Sequence, residues 1–285
     1  MRTLFLTTRE VTMKSLQRAL FISLIAVCLA PTYHGVEIIG GHKVKPHSKP
    51  YMVSIQVNKC PGKRYVHNCG GALISTKWIL TAAHCKTQDT LQVVLGADSL
   101  SKTEKSQQKF QVKKQLPHPH FNTVTKENDI MLLELSSEAK LNNYVQLLQL
   151  PKNDNEDVKP GTLCTVAGWG ATGPSKPASD TLQEVEISVI DRKKCKAMLH
   201  PKRMLVVTED MICAGDRKGR KGSYKGDSGG PLICDKKCKG VVSYGPRDLS
   251  TKMPGVYTRI SKKYLNWITN IIGVETYNMT AGGFY

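Results

Sequence analysis

Beyond residue 37 the chain breaks its apolar residues into short runs, with Gly, Pro, Asn and Asp in the gaps. Residues 51–57, 71–74, 92–95, 130–135, 181–190, 240–243 and 255–259 each have the length of a strand. A strand leaves its backbone N–H and C=O groups unpaired unless a neighbour lies alongside, so a chain made of many strands must form sheets. One stretch departs from this pattern. In residues 262–272, Tyr264, Leu265, Trp267, Ile268, Ile271 and Ile272 recur at helical spacing. The expected fold is all-β, sandwich or barrel, with one C-terminal helix. Residues 151–160 are polar and acidic and suit a connection between two halves, while 274–285 lack periodicity and read as a tail. After residue 37 no hydrophobic segment is long enough to span a membrane.

The N-terminus follows a different logic. Lys14 and Arg18 precede an apolar run from Ala19 to Ala30, of signal-peptide length and too short for a membrane anchor. Residues 1–35 therefore read as a secretion signal. A start at Met13 gives a more compact signal and makes residues 1–12 an extension. Nine cysteines agree with an oxidising compartment. A chain of this length buries a sizeable core unaided, so its disulfides reinforce the fold and do not create it. The net charge of +18, from 41 Lys+Arg against 23 Asp+Glu, favours polyanionic partners. The basic residues fall in small clusters around 113–114, 192–194, 217–221 and 236–239, and no base-reading motif accompanies them. The expected partner is a proteoglycan or heparin, with no specific nucleic acid.

Three local motifs carry chemistry. Gly226-Asp227-Ser228-Gly229-Gly230-Pro231 surrounds a serine with residues that let the backbone turn sharply and approach a substrate closely. Leu80-Thr81-Ala82-Ala83-His84-Cys85 fixes a histidine beside a cysteine after an apolar strand. Asn128-Asp129-Ile130-Met131-Leu132-Leu133 opens an apolar strand with a carboxylate, which needs a partner once buried. The chain order is His, Asp, Ser, as in chymotrypsin.

On these motifs, together with Ile38-Ile39-Gly40-Gly41, Cys69-Gly70-Gly71, Gly168-Trp169-Gly170 and Ser243-Tyr244-Gly245, the chain resembles the chymotrypsin family from residue 38 to about 273. Within that family it is similar to the granzymes and mast-cell proteases of leukocyte granules. The resemblance implies two packed six-stranded antiparallel barrels, with His84 and Asp129 on the first and Ser228 on the second. It implies a secreted, granule-stored serine endopeptidase that acts on proteins and peptides, uses no cofactor or metal and meets serpin-type inhibitors. Ser228 would be the nucleophile, His84 the general base and Asp129 its orienter, with the N–H groups of Gly226 and Ser228 as the oxyanion hole. Residues 36–37 would be an activation dipeptide. Cleavage after Glu37 would free Ile38 to pair with Asp227. The resemblance further implies disulfides Cys69–Cys85, Cys164–Cys234 and Cys195–Cys213. Cys28 leaves with the signal, and Cys60 and Cys238 stay open: paired together, free or intermolecular.

The primary pocket departs from the tryptic pattern. Tryptic members carry Asp six residues before the nucleophile, where this chain has Gly222. Tyr224 stands where many members have a pocket cysteine. Gly222, Ser223 and Lys225, with Ser243, Tyr244, Gly245 and Gly255, are the expected substrate-binding residues. Granzyme B owes its acidic preference to an Arg on the far wall, matched here by Gly255. An uncharged pocket for a large apolar side chain follows, with Arg247, Asp248 and Lys252 in the intervening loop able to intrude. Other stretches, such as Leu95-Gly96-Ala97-Asp98-Ser99-Leu100-Ser101-Lys102, resemble tryptic granzyme K, which keeps a tryptic enzyme of the same fold as an alternative. A catalytically dead, basic binding homologue is the rival reading, opposed by the intact His, Asp and Ser. Asn278-Met279-Thr280 is a glycosylation sequon. His118-Pro119-His120 lacks companion ligands, so no metal is expected.

Overall fold

The apolar runs pair edge to edge into two closed sheets in the computed structural model, which describes residues 38–58, 64–151, 157–173, 176–199, 206–216, 221–245 and 253–273. The strands are β1 (His42–Lys43), β2 (Met52–Asn58), β3 (Val66–Ser75), β4 (Trp78–Thr81), β5 (Thr90–Leu95), β6 (Gln108–Pro117), β7 (Met131–Leu135), β8 (Leu163–Gly168), β9 (Gln183–Ile190), β10 (Met211–Gly215), β11 (Pro231–Cys234), β12 (Lys237–Tyr244) and β13 (Gly255–Arg259). Helix α1 (Arg192–Met198) precedes β10, and helix α2 (Lys262–Ile272) follows β13.

The first barrel closes in the order β2-β3-β4-β7-β6-β5. Strand β7, Met-Leu-Leu-Glu-Leu, is buried along its whole length, so it is visible as an apolar run. Strand β6 is not, because Lys109, Gln111 and Lys113 face solvent while Phe110 and Val112 turn inward. Its register shifts between Val112 and Lys114, which leaves Lys113 and Lys114 both on the surface, each reaching Glu134 at 2.9 and 3.1 Å.

In the second sheet β8 pairs with both β9 and β11, closing β9-β10-β13-β12-β11-β8 into a ring. Strand β1 adds to the start of β9 through His42 opposite Glu184 and Lys43 opposite Gln183. The segment after Ile38 is thereby sewn to the second barrel. The expected all-β architecture with a terminal helix is what the chain adopts. The passage between barrels, from Leu135 to Leu163, is wider than the expected 151–160.

Two main cores fill the barrels. Tyr264, Leu265, Ile268 and Ile272 of α2 share one cluster with Leu73, Ile79 and Leu132 of the first barrel. The last helix therefore completes the core of the first barrel. Ile38, Val166, Ile187, Ile212, Leu232 and Tyr257 belong to the second. Asp191 caps α1 by accepting the Lys194 N–H at 3.0 Å.

Disulfides join Cys69 to Cys85, Cys164 to Cys234 and Cys195 to Cys213. Cys238 is a free thiol, 0% exposed within the first cluster, with its pKa pushed up to about 12 by burial. Burial removes the intermolecular option for Cys238. Cys60 lies outside the described residues. Joint replacement of Cys69 and Cys85 by alanine opens a loop of separation 16. It is expected to lower stability by about 3 kcal/mol, read as a fall in the urea midpoint.

Candidate active site

His84 sits in a short 3-10 turn, Ala83–Cys85, directly after β4. The Cys69 disulfide ties the end of that turn to β3. Asp129 immediately precedes Ile130 and β7 and is 0% exposed. The two meet twice. His84 Nδ1 lies 2.7 Å from Asp129 Oδ2, and the His84 backbone N–H donates to Asp129 Oδ1 at 2.9 Å. The double contact orients the ring and directs Nδ1 at the carboxylate.

The second barrel finishes the shell of Asp129. Ser243 on β12 donates its hydroxyl to Asp129 Oδ2 at 2.5 Å. Thr258 on β13 donates to the Asp129 backbone carbonyl at 2.9 Å. Burial pushes the Asp129 carboxyl up, but the charge of His84 and the hydrogen bonds from His84 and Ser243 outweigh it and hold the group below the usual carboxylate range.

Ser228 occupies a tight turn before β11, flattened against the first barrel. Its carbonyl accepts the Gly70 N–H at 2.8 Å and lies 3.7 Å from Cys85 Sγ, one residue from His84. Gly226 has φ +100° and Gly229 φ +82°, the left-handed region. A Cβ on Gly229 would lie 2.0 Å from Thr81 Oγ1, so no other residue fits there. Among the described residues the N–H groups of Gly226 and Ser228 meet no protein acceptor. Neither the Ser228 hydroxyl nor His84 Nε2 has a hydrogen-bond partner among them.

Asp227 is fully buried, accepting from the Tyr224 N–H at 2.9 Å and the Gly170 N–H at 3.2 Å. Ile38 is 1% exposed, and Ile39 exchanges backbone bonds with Gly222 at 2.8 and 3.2 Å. Glu37 and Asn278 lie outside the described residues.

The stretch from Gly222 to Lys225 approaches β13. Ser223 Oγ is 3.1 Å from the Tyr257 hydroxyl, whose pKa burial pushes up to about 12. A Cβ on Gly222 would meet nothing within 4 Å, and one on Gly245 would meet the Gly255 backbone at 3.6 Å. Arg247, Asp248 and Lys252 lie outside the described residues. A cleft of about 670 Å³ also runs beside His84, lined by Lys86, Gln88, Phe121, Thr123 and Lys126 among others. His118 packs its ring 5.5 Å from Tyr264 and 5.2 Å from Trp267, as a core aromatic.

Sequence reasoning assigned Ser243 only to substrate binding and did not single out Thr258, Tyr257 or His67, whose Nε2 donates to the Gly226 carbonyl at 2.9 Å. These side chains reach the site through strand register, which no local pattern displays.

The Trypsin family model matches residues 38–268. The chain is 47% identical over 249 residues to mast cell protease 3 of Ovis aries, covering 87% of this chain and 94% of that protein. It is 46% identical over 250 residues to granzyme B of Rattus norvegicus, covering 87% and 96%. It is 45% identical over 236 residues to granzyme A of Bos taurus, covering 82% and 88%.

Because the folded state holds Asp129 ionised below its ordinary range, this carboxylate contributes its full stability above about pH 4 and loses it as pH falls through the lowered folded pKa. Asp129→Asn is expected to flatten that acid limb, measured by urea unfolding across a pH series.

Proposed function

This chain belongs to the trypsin family of serine endopeptidases, granzyme- and chymase-like within it, and we propose that Ser228, His84 and Asp129 carry its chemistry. The observation that carries this reading is the buried Asp129–His84 pair facing a serine turn with two unengaged N–H donors. Ser228 attacks the scissile carbonyl, and His84 takes its proton and returns it to the leaving amine. Asp129 keeps the proton of neutral His84 on Nδ1, leaving Nε2 as the base, and stabilises the imidazolium that forms. The N–H groups of Gly226 and Ser228 receive the oxyanion. One such donor is worth about 2.7–4 kcal/mol in another serine protease. The missing Ser228–His84 bond is no objection, since such contacts tighten when substrate binds.

Removal of residues 1–35 as a signal and of 36–37 as an activation dipeptide leaves the protease domain of 38–273 with the tail 274–285. The new Ile38 ammonium pairs with buried Asp227, a contact costly to break and therefore usable as a switch. The buried Ile38 side chain and the Ile39–Gly222 bridge support this reading. The net charge of +18 on the full chain, only a small part of it in residues 1–37, favours storage on granule proteoglycan before release, and serpin-type proteins are the expected inhibitors.

The primary pocket takes a large apolar side chain. Its described floor offers two neutral hydroxyls, from Ser223 and Tyr257, and open space at Gly222. Burying such a side chain yields about 1.5–3 kcal/mol. Tryptic specificity would need a carboxylate that the described floor lacks.

Protein beginning at Ile38 is expected to cleave library peptides after Phe, Tyr, Leu or Met. Ser228→Ala should keep the fold and lose turnover by a factor on the order of 10⁶. Full turnover by that variant would refute the assignment. Gly222→Asp puts a carboxylate on the pocket floor. It is expected to raise kcat/KM after Arg or Lys, relative to Phe, by about tenfold or more. An unchanged ratio would mean that Gly222 does not line the pocket.

A further inference from the structure

The cleft of about 670 Å³ beside His84 takes no part in the chemistry proposed above. Two stretches line it, one from Ala83 to Gln88 after β4 and one from Pro117 to Lys126 at the end of β6. Each brings one lysine, Lys86 and Lys126. Among the described residues that line the cleft, none is Asp or Glu. The carboxylates nearest in sequence are engaged elsewhere. Asp129 is buried against His84, and Glu127 Oε2 accepts the Thr125 hydroxyl at 2.8 Å. His118 adds no charge at neutral pH, because burial pushes its pKa down and its Nδ1 accepts the His120 N–H at 3.3 Å. Phe121, Pro117 and Pro119 add apolar surface to the lining.

Both stretches are fixed by the protein's own bonds. Gln115 on β6 grips Thr87 twice: its Oε1 accepts the Thr87 N–H at 3.2 Å, and its Nε2 donates to the Thr87 carbonyl at 3.0 Å. Asn122 Oδ1 accepts the N–H groups of Val124 and Thr125 at 2.9 and 3.0 Å, and the Lys126 N–H returns to the Asn122 carbonyl at 2.9 Å. Lys126 has φ +62°, a left-handed backbone that a lysine rarely adopts. Its ammonium rests 5.6 Å from the centroid of the Phe121 ring, which keeps the charge at the cleft. A positive, partly apolar and pre-formed cleft fits a guest that carries carboxylates beside apolar groups. A sulfated glycan answers the charge but leaves Phe121 and the prolines uncovered, whereas an acidic polypeptide answers both. We propose that this cleft takes an acidic segment of the polypeptide substrate, with its carboxylates paired to Lys86 and Lys126. The proposal deepens the protease reading and rests on it: a chain seated here lies beside His84, so acidic residues near the scissile bond raise kcat/KM.

The test uses active protein beginning at Ile38 and a peptide series in which the best-cleaved residue of the library is held constant. Asp, its amide Asn, and Lys are placed in turn at each flanking position. At one position or more, kcat/KM is expected to be about three- to tenfold higher with Asp than with Asn, and the advantage should shrink as salt is raised. Lys86→Gln combined with Lys126→Asn removes both charges, asparagine being tolerant of left-handed backbone. In that variant the Asp-to-Asn ratio should fall close to one. No Asp advantage in the wild type, or an advantage that survives in the variant, would overturn the proposal. A heparin fragment is titrated alongside. Heparin affinity governed by these lysines, with no Asp advantage, would assign the cleft to a sulfated glycan and overturn the proposal as well. A wild type that cleaves no peptide strikes down the protease reading by itself. The cleft is then judged by fluorescence anisotropy of a labelled Asp-rich peptide, whose binding should weaken about threefold or more in the variant; unchanged binding would overturn the inference.

Discussion

One carboxylate ties the two barrels together. Asp129 is fully buried, and a carboxylate removed from water costs several kcal/mol unless its oxygens are hydrogen-bonded. Its partners come from both sides: His84 from the first barrel, Ser243 and Thr258 from the second. A shift of either barrel would leave the charge unsatisfied. The chemistry of the site and the packing of the two barrels are thus conditions on each other. The same interface is stitched from the opposite direction by Gly70, which donates to the Ser228 carbonyl, and by His67, which donates to Gly226.

How far the site can be read from sequence follows from this arrangement. His84, Asp129 and Ser228 are legible because each lies in a short local motif whose glycines, alanines and apolar neighbours serve a backbone shape. Ser243 and Thr258 are not legible in that role. They reach Asp129 only because β12 and β13 pair with one residue register rather than another, Val241 opposite Thr258 and Val242 opposite Tyr257. His67 escapes notice for a similar reason, being one polar residue in β3 whose partner lies 159 positions away. For the fold, β13 and α2 were legible to the residue, because each is a dense apolar element ending at a clear stop. Strand β6 and helix α1 were hidden by lysines and arginine, which solvent-facing positions accept freely.

The proposed primary pocket would have a polar yet neutral lining. Ser223 and Tyr257 share a hydrogen bond, and burial keeps the Tyr257 hydroxyl protonated. These two hydroxyls are satisfied without a charge, so in the proposed pocket an apolar guest would not compete with an ion for the floor. Under the proposed reading, specificity rests on volume: a Cβ on Gly222 would meet nothing within 4 Å, whereas one on Gly255 would press on the Tyr257 ring at 3.0–3.3 Å. Single side chains added there would redraw it.

The threading of the chain sets the order in which it can mature during synthesis. The strands of the first barrel all lie before residue 136, yet the helix that joins their core begins at Lys262. While the ribosome is still delivering the second half, an apolar surface meant for Tyr264, Ile268 and Ile272 has no cover. The early strand β1 likewise waits for β9, some 140 positions later. Both barrels therefore close late and nearly together, and contacts of such long sequence span make folding slow. In the interval the nascent polypeptide presents sticky, half-built sheet edges, so its yield depends on shielding by chaperones as much as on the stability of the finished molecule.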